Sequence, residues 1–422
     1  MKYAHSMTCI TPLVGTGLAG YARENTSHGI YDDLYLQALL LDDEKGGILI
    51  LISADLAGFE KEFADRLRRW ISKKKPELSM ASIIFSATHT HCGPATIRLI
   101  DSVGKMNPDY MSFLEKRIKE TITKILSSEL KKGVLFAGIG RCTLGMNRRF
   151  IVRDKDGQIS DVLMSPNPNG SVDHSLPVLQ VKGKDEEIIV LNYACHPTTR
   201  GGYNISGDYP AAAARVIRAS SYKTRHAMFL QGAAADIRVP CMTEDGKSFR
   251  VGDSNDVLEY GNIIAKSVET TLKNKMKKIT ASFASSRSSF VLPYSDQKPT
   301  GIDTASDDYH KTVSYRAHNE RHGMEMEVTA WQISKDCVVL AMSGEICHVS
   351  GKLAKKMSGT RFPFFIAYAN GLPGYIPTDK ILEEGGYEAD QSMIPFGHPF
   401  LLKSGIDDML ELNIRKALDL LK

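Results

Sequence analysis

The 422-residue chain lacks long apolar runs, paired cysteines and an excess of either charge. A bilayer span needs about 20 consecutive apolar residues. The longest run here, 47–52 with 38–41 before it, is broken by Asp42, Asp43, Glu44 and Lys45. A transmembrane helix is therefore not expected. The first 20 residues carry Lys2 but no apolar core of about 7–15 residues, so no secretory signal is read there. The seven cysteines are odd in number, scattered and without any C-x-x-C pair. That pattern argues against a disulfide framework or a zinc ribbon and points to a reducing, cytoplasmic setting. Lys and Arg total 53 against 49 Asp and Glu, too even a balance for nucleic acid as the main partner. No internal repeat or low-complexity tract is visible.

Hydrophobic residues make up 42% and charged residues 24%, as in an ordinary globular protein. Segments 34–41 and 48–56 flank a polar, glycine-containing turn and read as a hairpin. Residues 59–75 place Phe59, Phe63, Leu67, Trp70 and Ile71 on one helical face, ended by Pro76. Asn107-Pro108 opens a second helix along Met111, Leu114, Ile118, Ile122 and Ile125. Short apolar runs at 82–87, 134–139, 176–181, 188–194, 227–230, 324–333, 337–342 and 364–369 read as strands. Helical patterns recur at 210–219, 256–274, 349–357 and 404–421. This alternation predicts an α/β fold with a mixed sheet core flanked by helices. Two stretches, 145–175 and 294–323, read as long loops.

Gly15-Thr16-Gly17-Leu18-Ala19-Gly20 matches G-x-G-x-x-G. A dinucleotide site needs a strand before it and a helix after it, and neither pattern is present. A loop whose backbone approaches a neighbour closely is the better reading. The cations Arg66, Arg68, Arg69, Lys73, Lys74 and Lys75 crowd around Trp70 near the end of the first helix. They complement the helix dipole, or they form a peripheral membrane-contact patch.

Four strand-end segments carry the chemistry. Thr88-His89-Thr90-His91-Cys92-Gly93-Pro94 follows the 82–87 strand. In an extended segment His89 and His91 face one side and converge. For H-x-H alone, two hydrogen-bonded structural histidines is an equally good reading. Cys195-His196-Pro197 ends the 188–194 run, and Asp208 follows as a helix cap or a partner for a ligating imidazole. Glu345 closes the apolar 338–342 strand, where a carboxylate is costly unless solvated, paired or metal-bound. Tyr368 to Tyr375, with Tyr387 beyond, supply tyrosines otherwise read as packing residues. Histidines plus a carboxylate suit catalytic zinc. Glu345 and His348 also form E-x-x-H, a competing metal pair.

The ordered set Thr88–Pro94, Cys195–Thr198, Ser206–Asp208, Gly344-Glu345, Tyr368–Tyr375 and Tyr387 resembles the catalytic domain of the neutral/alkaline non-lysosomal ceramidase family. Gly29–Tyr35 and Ile52–Leu56 resemble it too, so the likeness spans nearly the whole chain. It implies one ceramidase-like domain over 1–422, without the family's C-terminal β-sandwich. It implies Zn2+ held at strand ends by His89, His196, Glu345 and Tyr375. It implies His91, Tyr387 and Arg148 as catalytic contacts to substrate or transition state. The activity implied is a zinc-dependent hydrolase of sphingolipid type, cleaving the amide of an N-acyl compound with metal-activated water. The alternatives are a non-catalytic zinc-binding protein of the same fold and an esterase on a small non-lipid substrate. A homo-oligomer is compatible with the sequence. Asp208, Asp236, Arg238 and Cys92 are further substrate or supporting candidates. Departures from the family pattern fall among these. Arg238 stands where a small hydroxyl residue is expected, Cys92 replaces a serine, and Ala95-Thr96 replaces a glycine pair. An inward-pointing Arg238 favours an anionic substrate group.

Overall fold

The computed structural model describes residues 1–221, 224–301, 307–319 and 322–421. The predicted α/β class is correct, and its main strands and helices form where the apolar periodicity places them.

Three mixed sheets build the molecule, and each repeats one connectivity. Three antiparallel strands run in sequence, a helix crosses over, and a fourth strand pairs parallel to the third. In the first unit these are Lys2–Cys9, Tyr35–Asp42, Ile48–Ala54 and Ile83–Ala87. The second uses Val134–Arg141, Ser175–Lys182, Glu186–Tyr193 and Thr224–Gln231. The third uses Ala284–Pro293, Gly323–Ser334, Cys337–Met342 and Phe362–Ile366. The crossover helices are Lys61–Lys74, Asp208–Ala219 and His348–Met357. Each unit then closes with a helix on its first strand: Pro108–Ser127, Ser254–Asn274 or Ile406–Asp419. The sequence shows no repeat because packing needs only apolar residues of suitable size, not the same ones.

The strands read as continuous apolar runs because both faces are buried. Along Tyr35–Asp42, Leu36, Ala38 and Leu40 enter one core while Leu39 and Leu41 enter another. Ile188 and Val190 face the shared central core, and Ile189 and Leu191 face the helices of the second unit. Cys337, Val339 and Ala341 complete that central core from the third unit.

Polar ties link the sheets in a ring. Ser53 Oγ donates to the Phe229 carbonyl at 2.8 Å. The Phe365 N–H donates to Asn192 Oδ1 at 3.2 Å. The Phe85 N–H donates to Asn370 Oδ1 at 2.9 Å. Each fourth strand is thereby bonded to a neighbouring unit. Asn370 also donates to Glu327 Oε1 at 2.9 Å.

Three expectations are corrected. Segment 145–175 holds the hairpin Met146–Arg153 and Ile159–Asn167, whose outer strand is mostly exposed and so lacks an apolar stripe. Segment 294–323 holds the helix Asp307–Asn319, while 302–306 and 320–321 lie outside the described residues. Arg68 is not part of a surface cation patch. It is fully buried, paired with Glu327 at 2.9 Å and Asp65 at 3.2 Å, and donates to the Met80 carbonyl. Arg66 is paired with Glu115. Among the described residues no helix is long and apolar enough to cross a membrane.

Two outcomes follow from the interior. Asn370→Ala strands the buried Phe85 N–H and puts alanine at φ 58°. It should lower stability by about 2–3 kcal/mol, read from the shift in urea midpoint. Burial raises the Asp55 carboxyl to about 7. The unfolded carboxyl ionises near ~4, so unfolding releases a proton between about pH 4 and pH 7. Stability from this group is highest below that window and falls as pH rises through it. Asp55→Asn should remove that downward slope in urea melts taken from pH 4 to 7.

Candidate metal centre

The site lies where strands of the three units end. His89 and His91 follow Ile83–Ala87, His196 follows Glu186–Tyr193, and Glu345 follows Cys337–Met342. The three imidazole Nε2 atoms form a near-equilateral triangle. The sides are 3.0 Å from His89 to His196 and 3.1 Å from His91 to each of the others. All three rings are buried. Among the described residues they are the histidine, cysteine and carboxylate group able to hold a metal ion.

His89 and His91 converge, but not through an extended segment. His89 sits at φ 69°, in the left-handed region. The turn lets its N–H bond the Leu56 carbonyl at 2.8 Å. Tyr368, also left-handed, stacks on the His89 ring at 4.1 Å. Non-glycine residues held in this region mark sites where surrounding contacts overrule local preference.

The tautomers follow from the outer ring nitrogens. His89 Nδ1–H donates to the Ala57 carbonyl at 2.6 Å, and His196 Nδ1–H to the Ala234 carbonyl at 3.1 Å. Both Nε2 lone pairs then face each other across 3.0 Å. Burial, with the neighbouring imidazoles and Arg148, pushes His91 and His196 well below the usual histidine range. A shared proton is thus disfavoured, and lone pairs at this spacing repel unless a cation lies among them.

Glu345 supplies the matching charge. Its Oε2 lies 3.4 Å from His89 Nε2 and 3.8 Å from His196 Nε2. That oxygen is buried and has no hydrogen-bond partner. An orphaned carboxylate oxygen beside three imidazole nitrogens fits a divalent cation and suits zinc.

Glu345 and Tyr375 pair across a short parallel bridge, which brings Tyr375 into the same cavity. Arg148 Nη2 donates to the Tyr375 hydroxyl at 3.3 Å. Its guanidinium also lies 5.7 Å from the Tyr375 ring centre and 5.6 Å from that of Tyr387. Arg148 Nε donates to Glu388 at 2.9 Å, and Arg149 binds the other Glu388 oxygen at 2.8 Å. These partners hold Arg148 well above its usual pKa. Burial pushes Tyr387 up to about 12, so its phenol stays protonated. Glu388 lies in a loop outside the sequence motifs that mark the site.

Several candidates fall elsewhere. Asp208 bonds the N–H groups of Arg200 and Tyr209 rather than an imidazole. Backbone carbonyls take Nδ1 of His89 and His196, and His91 Nδ1 is buried without a partner. Asp236 turns to His348, with 2.8 Å to its N–H and 2.6 Å to its Nδ1. His348 Nε2 then meets Ser171 Oγ at 2.6 Å. The competing Glu345/His348 metal pair therefore does not form. The Cys92 thiol is buried against the Arg200 carbonyl, and burial raises it to about 12. Arg238 points beside the site, with its guanidinium over the Phe249 ring. The glycine-rich 15–20 segment is a turn. Gly20, at φ 94°, has its backbone so near His91 that a Cβ would lie 2.5 Å from that ring.

No protein-family model and no curated protein matches the chain. Among solved structures, neutral ceramidase from Pseudomonas aeruginosa superposes with a TM-score of 0.76 at 16% identity, over 99% of this chain and 74% of that one. A ceramidase complexed with C2 gives the same score and identity, over 99% and 75%. The chain therefore has the fold of the neutral ceramidases, matching their ceramidase-like N-terminal domain.

Proposed function

We propose that this protein is a zinc-dependent amidohydrolase cleaving the amide of an N-acyl lipid-like compound. The observation that carries the reading is the buried Nε2 triangle with the unpartnered Glu345 oxygen beside it. The fold shared with proteins named as ceramidases supports the same reaction class.

His89, His196 and Glu345 would hold the ion, with Tyr375 as the fourth ligand and His91 facing it. Zinc bound there would polarise the amide carbonyl and lower the pKa of water toward ~7. The chain's own groups do the rest. Arg148 remains cationic, and Tyr387 keeps its phenolic proton. Both are donors that would stabilise a carbonyl oxygen as it gains negative charge. His91, whose Nε2 this assignment leaves outside the ligand set, would accept a proton there and pass it to the departing nitrogen. The balance is simple: water oxygen bonds the carbonyl carbon, the C–N bond breaks, and the amine leaves with that proton. Ile97, Leu99, Val103 and Phe396 give the roughly 220 Å3 cavity an apolar wall suited to an acyl chain.

Wild-type protein should carry about one zinc per chain and hydrolyse N-lauroylsphingosine or a simpler N-lauroyl amide. His89→Ala should abolish both, by elemental analysis and product assay. Glu345→Gln should weaken zinc binding by at least about 10–100-fold in chelator competition, the range for losing a group one shell further out. Zinc content unchanged by both variants refutes the site. A Tyr387→Phe variant should keep its zinc but lose about 10²–10³-fold in kcat, as for removal of one oxyanion donor. Unchanged kcat removes Tyr387 from the mechanism.

A further inference from the structure

A second cavity of about 310 Å3 opens beside the metal cavity and shares Tyr21 and Ala22 with it. Arg23, Arg200 and Arg238 form its wall. Among the described residues none of the three is ion-paired. Arg250, at the same rim, is already neutralised by two 2.8 Å bonds to Asp256.

The three guanidinium groups are held by neutral partners. Arg23 donates to the carbonyls of Gly202 and His91, both at 2.7 Å, and of Ala19 at 3.1 Å. Arg200 donates to Ser254 Oγ at 2.7 Å and lies over the Tyr31 ring. Arg238 donates to the Thr198 carbonyl at 3.2 Å and lies 4.2 Å from the Phe249 ring centre. Donors remain to spare. Arg200 Nε, Arg238 Nε and the hydroxyl of Thr198 are buried without a partner, and Thr198 is only 6% exposed. Asp208 makes no ion pair with these guanidinium groups, its oxygens accepting instead from the N–H groups of Arg200 and Tyr209. Burial pushes Arg238 and Arg23 below their usual pKa, the cost of cations without a counter-charge.

The cavity is tied to the metal centre through the chain. Arg238 bridges His196 backbone to backbone, and Arg23 holds the His91 carbonyl. An acyl chain on the apolar wall leaves this cavity for the other half of the molecule. Resting on the hydrolase reading above, we infer that the substrate is an N-acyl amine whose amine half carries an anionic oxyacid group, received by Arg23, Arg200 and Arg238. A carboxylate and a phosphate share the geometry that guanidinium forks recognise.

The test compares kcat/KM for N-lauroylglycine, N-lauroyl-O-phosphoethanolamine and neutral N-lauroylethanolamine. At least one anionic amide should exceed the neutral one by about 10–100-fold, the scale of a charged hydrogen bond. The better anionic arm tells carboxylate from phosphate. Arg238→Gln should bring the ratio to within about threefold, and Arg238→Lys should restore part of it. Arg200→Gln gives the same reading should Arg238→Gln fail to fold by circular dichroism. Equal rates for all three amides overturn the inference while leaving the hydrolase reading intact. So does a preference unchanged in Arg238→Gln and Arg200→Gln. Calorimetric titration of N-lauroylglycine and N-lauroyl-O-phosphoethanolamine separates the two claims. Arg238-dependent binding without turnover of any amide refutes the hydrolase reading and upholds the anion site. Absence of both binding and turnover overturns it.

Discussion

Three imidazole nitrogens and a carboxylate oxygen are held within 4 Å of their neighbours, inside the protein and away from water. Lone pairs repel at this distance, and desolvation makes protonating two of the rings costly. Such an arrangement persists only when the scaffold over-determines it. The ring of ties between the sheets supplies that scaffold. Ser53, Asn192 and Asn370 each bond a backbone group of another unit, so the strand ends cannot drift apart singly. His89, Tyr368 and Asn370 then adopt left-handed backbone where those ends meet. Asp208 does the same at the start of the second crossover helix.

The charges form two zones with different compensation. Around Tyr375, buried Arg148 and Arg149 share Glu388, and Arg149 also pairs with Glu384, so each cation is fixed by a carboxylate. Across the cavity, Arg23, Arg200 and Arg238 have aromatic faces, carbonyls and a hydroxyl, and no ion pair among the described residues. A buried pair is rigid and permanent, whereas a cation set without a pair is suited to an anion that comes and goes. The first zone suits charge that develops during a reaction. The second suits charge that a substrate brings with it.

Much of the site was legible because its parts lie at the ends of apolar strands. His89, His196 and Glu345 each follow such a run, and α/β proteins put ligands at strand ends. The convergence of His89 and His91 was legible too, though for the wrong geometric reason. Extended spacing predicted it, and a left-handed turn produces it. The groups that fix the imidazole tautomers were not legible. They are the carbonyls of Ala57 and Ala234, which any residue could supply. Glu388 escaped for a related reason, since a carboxylate in a loop carries no sign that two arginines will meet it.

By itself the sequence determined the α/β class, most strands and helices, and the residue types gathered at the centre. Apolar period and strand-end position are local properties of the chain, which is why they can be read along it. Only the tertiary structure decided the threefold repetition of connectivity, the burial of Arg68 and the withdrawal of Asp236 to His348. It alone set the arginine wall, without ion pairs among the described residues, beside the candidate metal centre. The pairings of Arg68 and Asp236 depend on which groups come within bonding distance across more than a hundred residues of chain. Such distances arise from the packing of the three sheets, and no local pattern encodes them.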